Sequence, residues 1–174
     1  MQQIDEGRLS FFFPDNTVAS KYDEWSFYRN QFNSAFGGTK AVDLIHVDAR
    51  QTWLIEVKDY RIHRRTKVID IGDEISFKVR DTLAGLVAAQ CNANDFDEMR
   101  IAKNAIRQTR IRIILHLEQP RKHSRLFPKA IDPSKVEQKL KQCLKSVDAH
   151  PCVVDKDTLE NRLEMNWTVK RNLI

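Results

Sequence analysis

The chain has 174 residues, of which 41% are hydrophobic, and this size and composition predict one compact domain over residues 1–174. Its formal net charge of +5 at pH 7 is a modest excess that favours a polyanionic partner. The sequence has no run of about 18 apolar residues, and its first residues, MQQIDEGR, are polar, so we expect a cytoplasmic protein with no membrane helix and no signal peptide.

The first predicted elements are a strand and a helix. The apolar run LSFFF at 9–13 is typical of a short strand. Ser20 with Asp23 resembles a capping box, which predicts that a helix begins there. Aromatic residues then recur at helical spacing as far as Gly37-Gly38, a pair that tolerates the left-handed conformation at a helix end.

A hairpin and further helices and strands follow. The runs AVDLIHV (41–47) and TWLIEVK (52–58) are strand-like, and the polar connection DARQ predicts that they pair. The later predicted elements are a helix over 72–94, a helix over 97–108, a strand over 109–118, a helix beginning at Asp132-Pro133, and short strands near 152–154 and 166–170. This order predicts an α/β fold.

The hairpin contains the charges that most need an explanation. A strand places alternate residues on one face, so Glu56 and Lys58 point the same way. If DARQ is a four-residue loop, Val47 pairs with Thr52 and Asp43 lies opposite Glu56, with the two Cβ atoms roughly 5 Å apart. Two carboxylates at that separation repel, and a bound Mg²⁺ or Mn²⁺ would relieve the repulsion.

These residues resemble a known family. Asp43, twelve intervening residues and then Glu56-Val57-Lys58 in a hydrophobic strand are similar to the motif of the PD-(D/E)xK nuclease superfamily, although Val42 stands where the motif has proline. The resemblance implies a restriction-endonuclease-like core, a central mixed sheet flanked by helices, with LSFFF as its first strand. It implies that Asp43, Glu56 and the Val57 carbonyl bind the metal and that Lys58 is the catalytic lysine.

The resemblance also implies a function and further site residues. The expected activity is Mg²⁺-dependent hydrolysis of phosphodiester bonds, with DNA as the preferred nucleic acid, and a homodimer would supply the two sites needed to cut both strands. Glu24 is the candidate for an additional catalytic acid, and Gln90 for a catalytic amide on the helix after the strand. Their structural alternatives are a first-turn acid favoured by the helix dipole and a core amide bonded to backbone.

A basic loop follows the second hairpin strand and is predicted either to contact phosphates or to be simply solvated. Its basic residues are Arg61, Arg64, Arg65 and Lys67. The segment RKHSR at 121–125 is a second basic cluster.

Other interpretations remain compatible with the residues. One is a catalytically inactive nucleic-acid-binding protein of the same fold, and another is a small interaction protein in which Glu56 and Lys58 form a structural ion pair. A third treats the charges as the solvated face of an edge strand, although the apolar Leu54 shares that face. The three cysteines are odd in number and lack CxxC spacing, so we expect free thiols.

Overall fold

Two β-sheets and a layer of helices form the fold in the computed structural model, which describes residues 1–120 and 131–172. The smaller sheet is antiparallel, with the strand order β1-β2-β8: β1 (Gln2–Glu6), β2 (Leu9–Phe13) and β8 (Thr168–Arg171). The larger sheet has the order β3-β4-β5-β6-β7: β3 (Val18–Lys21), β4 (Leu44–Val47), β5 (Thr52–Asp59), β6 (Ile111–Glu118) and β7 (Cys152–Val154). The α/β prediction is confirmed at this level.

The larger sheet is mixed, and its centre is the predicted hairpin. Strands β3, β4 and β5 are antiparallel neighbours, whereas β6 runs parallel to β5 and β7 runs parallel to β6. Val47 pairs with Thr52 and Leu44 with Ile55, so the predicted register is confirmed. The first hairpin strand begins at Leu44, and Asp43 is a bend just before it.

Four helices have the following bounds: α1 (Ile71–Asn92), α2 (Phe96–Arg107), α3 (Pro133–Leu144) and α4 (Lys156–Leu159). Aspartate side chains cap the first three, because Asp70, Asp95 and Asp132 each accept hydrogen bonds from the first backbone N–H groups of the helix that follows. The predicted helices over 72–94 and 97–108 and the one beginning at Asp132-Pro133 are therefore confirmed, with small shifts of their ends.

Two hydrophobic cores lie on opposite faces of the larger sheet. Helices α1, α2 and α3 cover one face, where Leu54 is buried. The smaller sheet covers the other face, where Ile55 and Val57 are buried. The alternation predicted for β5 is therefore present, and both faces of this strand are covered.

The helix predicted from Ser20 onward is wrong. Val18–Lys21 is a strand, and the next residues form three short turns: a 3₁₀ turn at Tyr22–Glu24, a π turn at Tyr28–Phe32 and a 3₁₀ turn at Ala35–Gly37. The Ser20 hydroxyl accepts a hydrogen bond from the Trp25 indole at 2.8 Å instead of capping a helix. Trp25 and Phe27 are both buried, whereas a regular helix would direct residues two apart to different faces.

The role predicted for LSFFF is also wrong. Leu9–Phe13 is a strand, but it belongs to the smaller sheet, and Val18–Lys21 is the first strand of the larger one. Cys91, Cys143 and Cys152 are free, as expected. No helix in residues 1–120 and 131–172 combines the length and hydropathy that spanning a bilayer requires. The basic cluster at 121–125 lies outside the described residues.

Candidate functional site

The hairpin and the first two turns of α1 form a cluster of charged side chains. The Lys78 ammonium lies 2.6 Å from Glu56 Oε1 and 3.5 Å from Asp43 Oδ1, and the Lys58 ammonium also contacts Glu56 Oε1. Asp43 Oδ2 accepts a hydrogen bond of 2.6 Å from the backbone N–H of Val57. The structure thus brings together Asp43, Glu56 and Lys58 on the face that their register predicts.

Glu56 is buried in the centre of this cluster. Its side chain is 1% exposed, so the interpretation as a solvated edge-strand face is wrong. Burial, and then the charge of Asp43, raise the pKa of Glu56 to about 7, although Lys78 and Lys58 oppose this shift. Glu56 Oε2 is buried without a hydrogen-bond partner among the described residues. A buried carboxylate oxygen in this condition is available to an external cation or donor.

Lys58 remains charged at neutral pH despite its burial. Burial lowers the pKa of its ammonium, but the charges of Glu56 and Asp43 more than offset that effect, so the net shift is upward. Lys58 therefore acts here as a fixed positive charge beside two carboxylates.

The basic loop is largely engaged by carboxylates of the same chain. Arg61 pairs with Asp59 at 2.6 Å, and both Arg65 and Lys67 pair with the buried Glu74 of α1. Arg64 is exposed, and the described residues provide no ion-pair partner for it. Of the four residues predicted to contact phosphates, Arg64 is thus the one whose charge is not balanced within residues 1–120 and 131–172.

A cleft of about 330 Å³ opens beside the cluster, lined by Asp23, Tyr28, Thr39, Lys40, Ala41, Asp43, Lys67, Glu74 and Lys78. Burial and the neighbouring Asp43 raise the pKa of Asp23 to about 6, and Asp23 Oδ1 is buried without a hydrogen-bond partner in the described part of the chain. Asp23 is a site residue that sequence reasoning missed, because its spacing from Ser20 resembled a capping box.

Two predicted catalytic residues are not part of the cluster. Glu24, next to Asp23, is half-exposed and pairs with Lys21 at 2.9 Å, outside the cleft. Gln90 is partly exposed on α1, twelve residues after Lys78, which corresponds to about 18 Å along the helix axis. The structure therefore does not bring Glu24 or Gln90 to the site.

Asp43 and Glu56 are the two carboxylates that the metal prediction named, and lysines already contact both of them. The charge of Asp43 helps to raise the pKa of Glu56, and one buried oxygen of Glu56 has no hydrogen-bond partner among the described residues. Val57 contributes its N–H to Asp43 while its side chain packs between the sheets. Within the described ranges, no group of three or more His, Cys, Asp or Glu side chains is arranged to hold a metal. Any cation bound here would depend on few protein ligands.

Comparison with known proteins finds a similarity to part of a cysteine–tRNA ligase from Neisseria meningitidis serogroup A. The two sequences are 32% identical over 162 residues, which cover 76% of this chain and 23% of the ligase. The chain thus spans about a quarter of the length of that relative. No family model matches the chain. No solved structure matches it.

This similarity contradicts the prediction of a DNA-cleaving, Mg²⁺-dependent nuclease, because the relative is named as a tRNA ligase. The same finding contradicts the more general expectation, drawn from the motif, that the protein is an endonuclease or another hydrolase. The match covers 23% of the ligase, so it does not bear on the two alternatives, an inactive nucleic-acid-binding protein and a small interaction protein, and the Glu56–Lys58 ion pair of the second is present. The short Asp43…Glu56-Val57-Lys58 motif did not identify the activity.

Proposed function

We propose that this chain is an enzyme unit with a function related to that of tRNA synthetases, and that it binds tRNA. The observation that supports this most directly is the 32% identity to part of a cysteine–tRNA ligase. Because the similar region is 23% of the ligase, the proposal concerns one part of such an enzyme and the tRNA it contacts.

The charges around the cleft support an RNA partner. Lys40, Lys67 and Lys78 line the cleft, and Arg64 is exposed in the neighbouring basic loop. Lysine and arginine side chains supply most of the affinity of proteins for phosphate backbones. Arg64 is the residue best suited to a phosphate, since no carboxylate in the described part of the chain balances it.

We propose in addition that Asp43 and Glu56 hold Mg²⁺ or Mn²⁺, with the Val57 carbonyl as a further ligand. A bound Mg²⁺ would link the carboxylates to an RNA phosphate, since this ion is commonly held by one or two carboxylates together with phosphate oxygens. Lys58 and Lys78 already pair with the other oxygen of Glu56, so a bound Mg²⁺ would leave the pocket positively charged, which suits a phosphate. The unpartnered Glu56 Oε2 supports this assignment.

The finer description of the fold is also a proposal. We infer that the larger sheet and α1 form a restriction-endonuclease-like core used for a purpose other than DNA cleavage. The antiparallel run β3-β4-β5, the helix α1 and the parallel strand β6 support the inference, because they have the order of three strands, a helix and a strand. This likeness is one of strand order and pairing and carries no activity.

The test of the function is a filter-binding assay with deacylated tRNA and with duplex DNA of similar charge, at several salt concentrations. We expect tighter binding of tRNA than of DNA, with an affinity that falls as salt rises. Arg64→Ala should weaken tRNA binding and reduce the salt slope by about one. Arg100→Ala is the matched control, because Arg100 is exposed on α2 and paired with Asp97. Absence of tRNA binding, or equal affinity for DNA, would contradict the proposal.

A further inference from the structure

A strip of aromatic and basic side chains borders the cleft. We call Phe36, Lys40, Phe77 and Arg80 the aromatic–basic strip. Phe36 is 86% exposed, and Phe77 is also exposed on α1. Lys40 Nζ lies 5.7 Å from the centre of the Phe77 ring and Arg80 Cζ lies 5.2 Å from it, so both cations are held against an aromatic face. Lys40 also lines the cleft and thereby joins the strip to the candidate site.

Phe36 has an unfavourable backbone conformation at an exposed position. Its φ is 55° and its ψ is 27°, a left-handed conformation that bulky residues rarely adopt. Gly37 and Gly38, which follow it, also have positive φ. Burial of the ring does not compensate the strain, because most of the ring is in solvent. Strained residues of this kind cluster at ligand contacts, where the conformation directs a side chain.

The loop that carries Phe36 is held in place by hydrogen bonds on its far side. Thr39 donates from its backbone N–H to the Asn33 carbonyl at 2.8 Å and from its hydroxyl to the Phe32 carbonyl at 2.8 Å. The Tyr28 hydroxyl donates to the Thr39 carbonyl at 3.0 Å. The exposed ring of Phe36 is therefore presented from a fixed backbone.

One face of α1 fixes the position of the loop that carries Phe36 and Lys40 relative to Phe77. Phe77, Asp81 and Gly85 are four residues apart and share a helix face. Asp81 accepts a hydrogen bond of 2.9 Å from the Lys40 backbone N–H, which fixes Lys40 beside Phe77. One helix face thus orders the cations and aromatic rings of the strip.

The Phe36 end of the strip reaches the same helix through Phe32. Phe32 packs at Gly85, and the Phe36 ring meets the Phe32 ring edge-on, with 6.0 Å between the ring centres. Phe36 is therefore placed over the same face of α1 as Phe77.

We propose that the aromatic–basic strip binds unpaired nucleotides of the RNA, a proposal that rests on the proposed tRNA-binding function. Bases stack on the Phe36 ring and on the layer formed by Arg80 and Phe77, and the phosphates between them contact Lys40 and Arg80. Aromatic rings and guanidinium planes are the usual stacking partners of unpaired bases. A fully paired duplex buries its base faces and gains nothing from exposed rings. Arg80 pairs with Asp81 at 2.9 Å, so Lys40 supplies the net positive charge of the strip, which complements a polyanion rather than an apolar protein surface.

The test compares binding of a labelled single-stranded RNA of about 12 nucleotides, a blunt RNA duplex with the same number of phosphates, and deacylated tRNA. The variants are Phe36→Gly and Phe77→Ala, and glycine suits the left-handed backbone at position 36 while removing the ring. Phe96→Ala is the matched control, because Phe96 is 78% exposed on α2, outside the strip.

We expect Phe36→Gly to lower affinity for the single strand by about 5-fold to 100-fold, the range that one lost base stack corresponds to. Its melting temperature should be unchanged or raised, because the strain at position 36 is removed, and affinity for the duplex should not change. Phe77→Ala should act in the same direction. Phe96→Ala should bind like the parent protein.

The outcomes separate this inference from the proposed function. If the parent binds tRNA and both strip variants bind single-stranded RNA as well as the parent does, the proposal that the strip stacks with bases is refuted. The proposal of tRNA binding then stands. Equal losses on duplex and single strand would also refute stacking, since they would indicate only charge. If the parent binds the single strand through the strip but not tRNA, the proposed function fails and the strip stands. Binding of neither RNA refutes both.

Discussion

At the residue scale, two buried glutamates on neighbouring strands have pKa values that are shifted in opposite directions. Glu118 is fully buried, yet His116 at 3.0 Å, the Lys156 N–H at 2.9 Å and Arg171 at 2.7 Å overcome its burial and lower its pKa to about 2. Glu56 has lysines on one oxygen and, within residues 1–120 and 131–172, no hydrogen-bond partner on the other, and its pKa is raised to about 7. The described residues satisfy both oxygens of Glu118 but only one oxygen of Glu56.

This difference predicts how stability depends on pH. The ordinary pKa of glutamate is 4.5, so the folded protein keeps a proton on Glu56 that the unfolded chain loses between pH 4.5 and about 7. Stability should therefore fall as pH rises through this window, by at most about 3 kcal/mol. Glu56→Gln, which cannot titrate, should reduce that slope, leaving the part that Asp23 contributes through its own raised pKa of about 6. Urea unfolding at pH 5 and pH 7 measures it, in the absence of divalent ions.

The exposed Glu160 provides the control for this measurement. Glu160→Gln should keep the slope of the parent protein, because Glu160 is exposed, lies outside the buried cluster and, among the described residues, forms an ion pair only with Lys156, at 3.7 Å. Identical slopes in the parent and in Glu56→Gln would show that Glu56 is not the group that titrates.

At the element scale, α1 contains a glycine that helix propensity alone does not explain. Gly85 lies in the helix interior, where glycine costs about 1 kcal/mol relative to alanine. A Cβ at this position would overlap the Tyr22 hydroxyl and approach the Phe32 ring to 3.1 Å. Glycine is therefore needed at this position because α1 packs closely against the turns between β3 and β4.

Gly85→Ala should destabilise the protein by about 1–3 kcal/mol, because Tyr22 and Phe32 are buried and cannot move freely. Gly72→Ala is the matched substitution in the same helix. There the added Cβ meets Lys139 Cγ at 2.5 Å, on a side chain that is partly exposed and can turn toward solvent, so we expect a smaller loss than at Gly85, below about 1 kcal/mol. Chemical denaturation of both variants measures the difference. Equal effects would contradict the close packing inferred at Gly85.

At the scale of the whole molecule, β5 connects the two cores. Leu54 packs under the helices, and Trp53 on the opposite face meets Trp167, with 5.0 Å between ring centres. A strand that is buried on both sides couples the layers, because loss of either layer exposes apolar side chains of the same strand. This is the physical basis for expecting the predicted single domain to unfold as one unit.

We expect one cooperative unfolding transition for the whole chain. Far-ultraviolet circular dichroism follows the helices, and tryptophan fluorescence follows mainly the core between the sheets, which contains Trp53 and Trp167. The two probes should give the same midpoint and the same denaturant dependence. A fluorescence transition at lower denaturant, with the helical signal retained, would show that the smaller sheet unfolds by itself.

Several elements were predictable because their signals are local. The hairpin register follows from loop length and strand period, α1 follows from its helical periodicity, and α3 follows from the Asp132-Pro133 start and its amphipathic pattern. Asp43, Glu56 and Lys58 meet as predicted for the same reason, since two paired strands define their positions. The helix predicted after Ser20 is absent, although the aromatic residues there recur at helical spacing. Trp25 and Phe27 are both buried, and a regular helix would not bury two residues that are two positions apart.

The sequence by itself determined the strands around Glu56, the start of the helix at Asp132-Pro133 and the common face of Glu56 and Lys58, all of which depend on residues close along the chain or joined by one short loop. Only the tertiary structure decided that Asp23 enters the cleft while Glu24 and Gln90 do not, that Glu74 neutralises Arg65 and Lys67, and that LSFFF joins the smaller sheet. These features depend on contacts between distant segments, where packing of buried side chains outweighs the weak local preferences of the backbone.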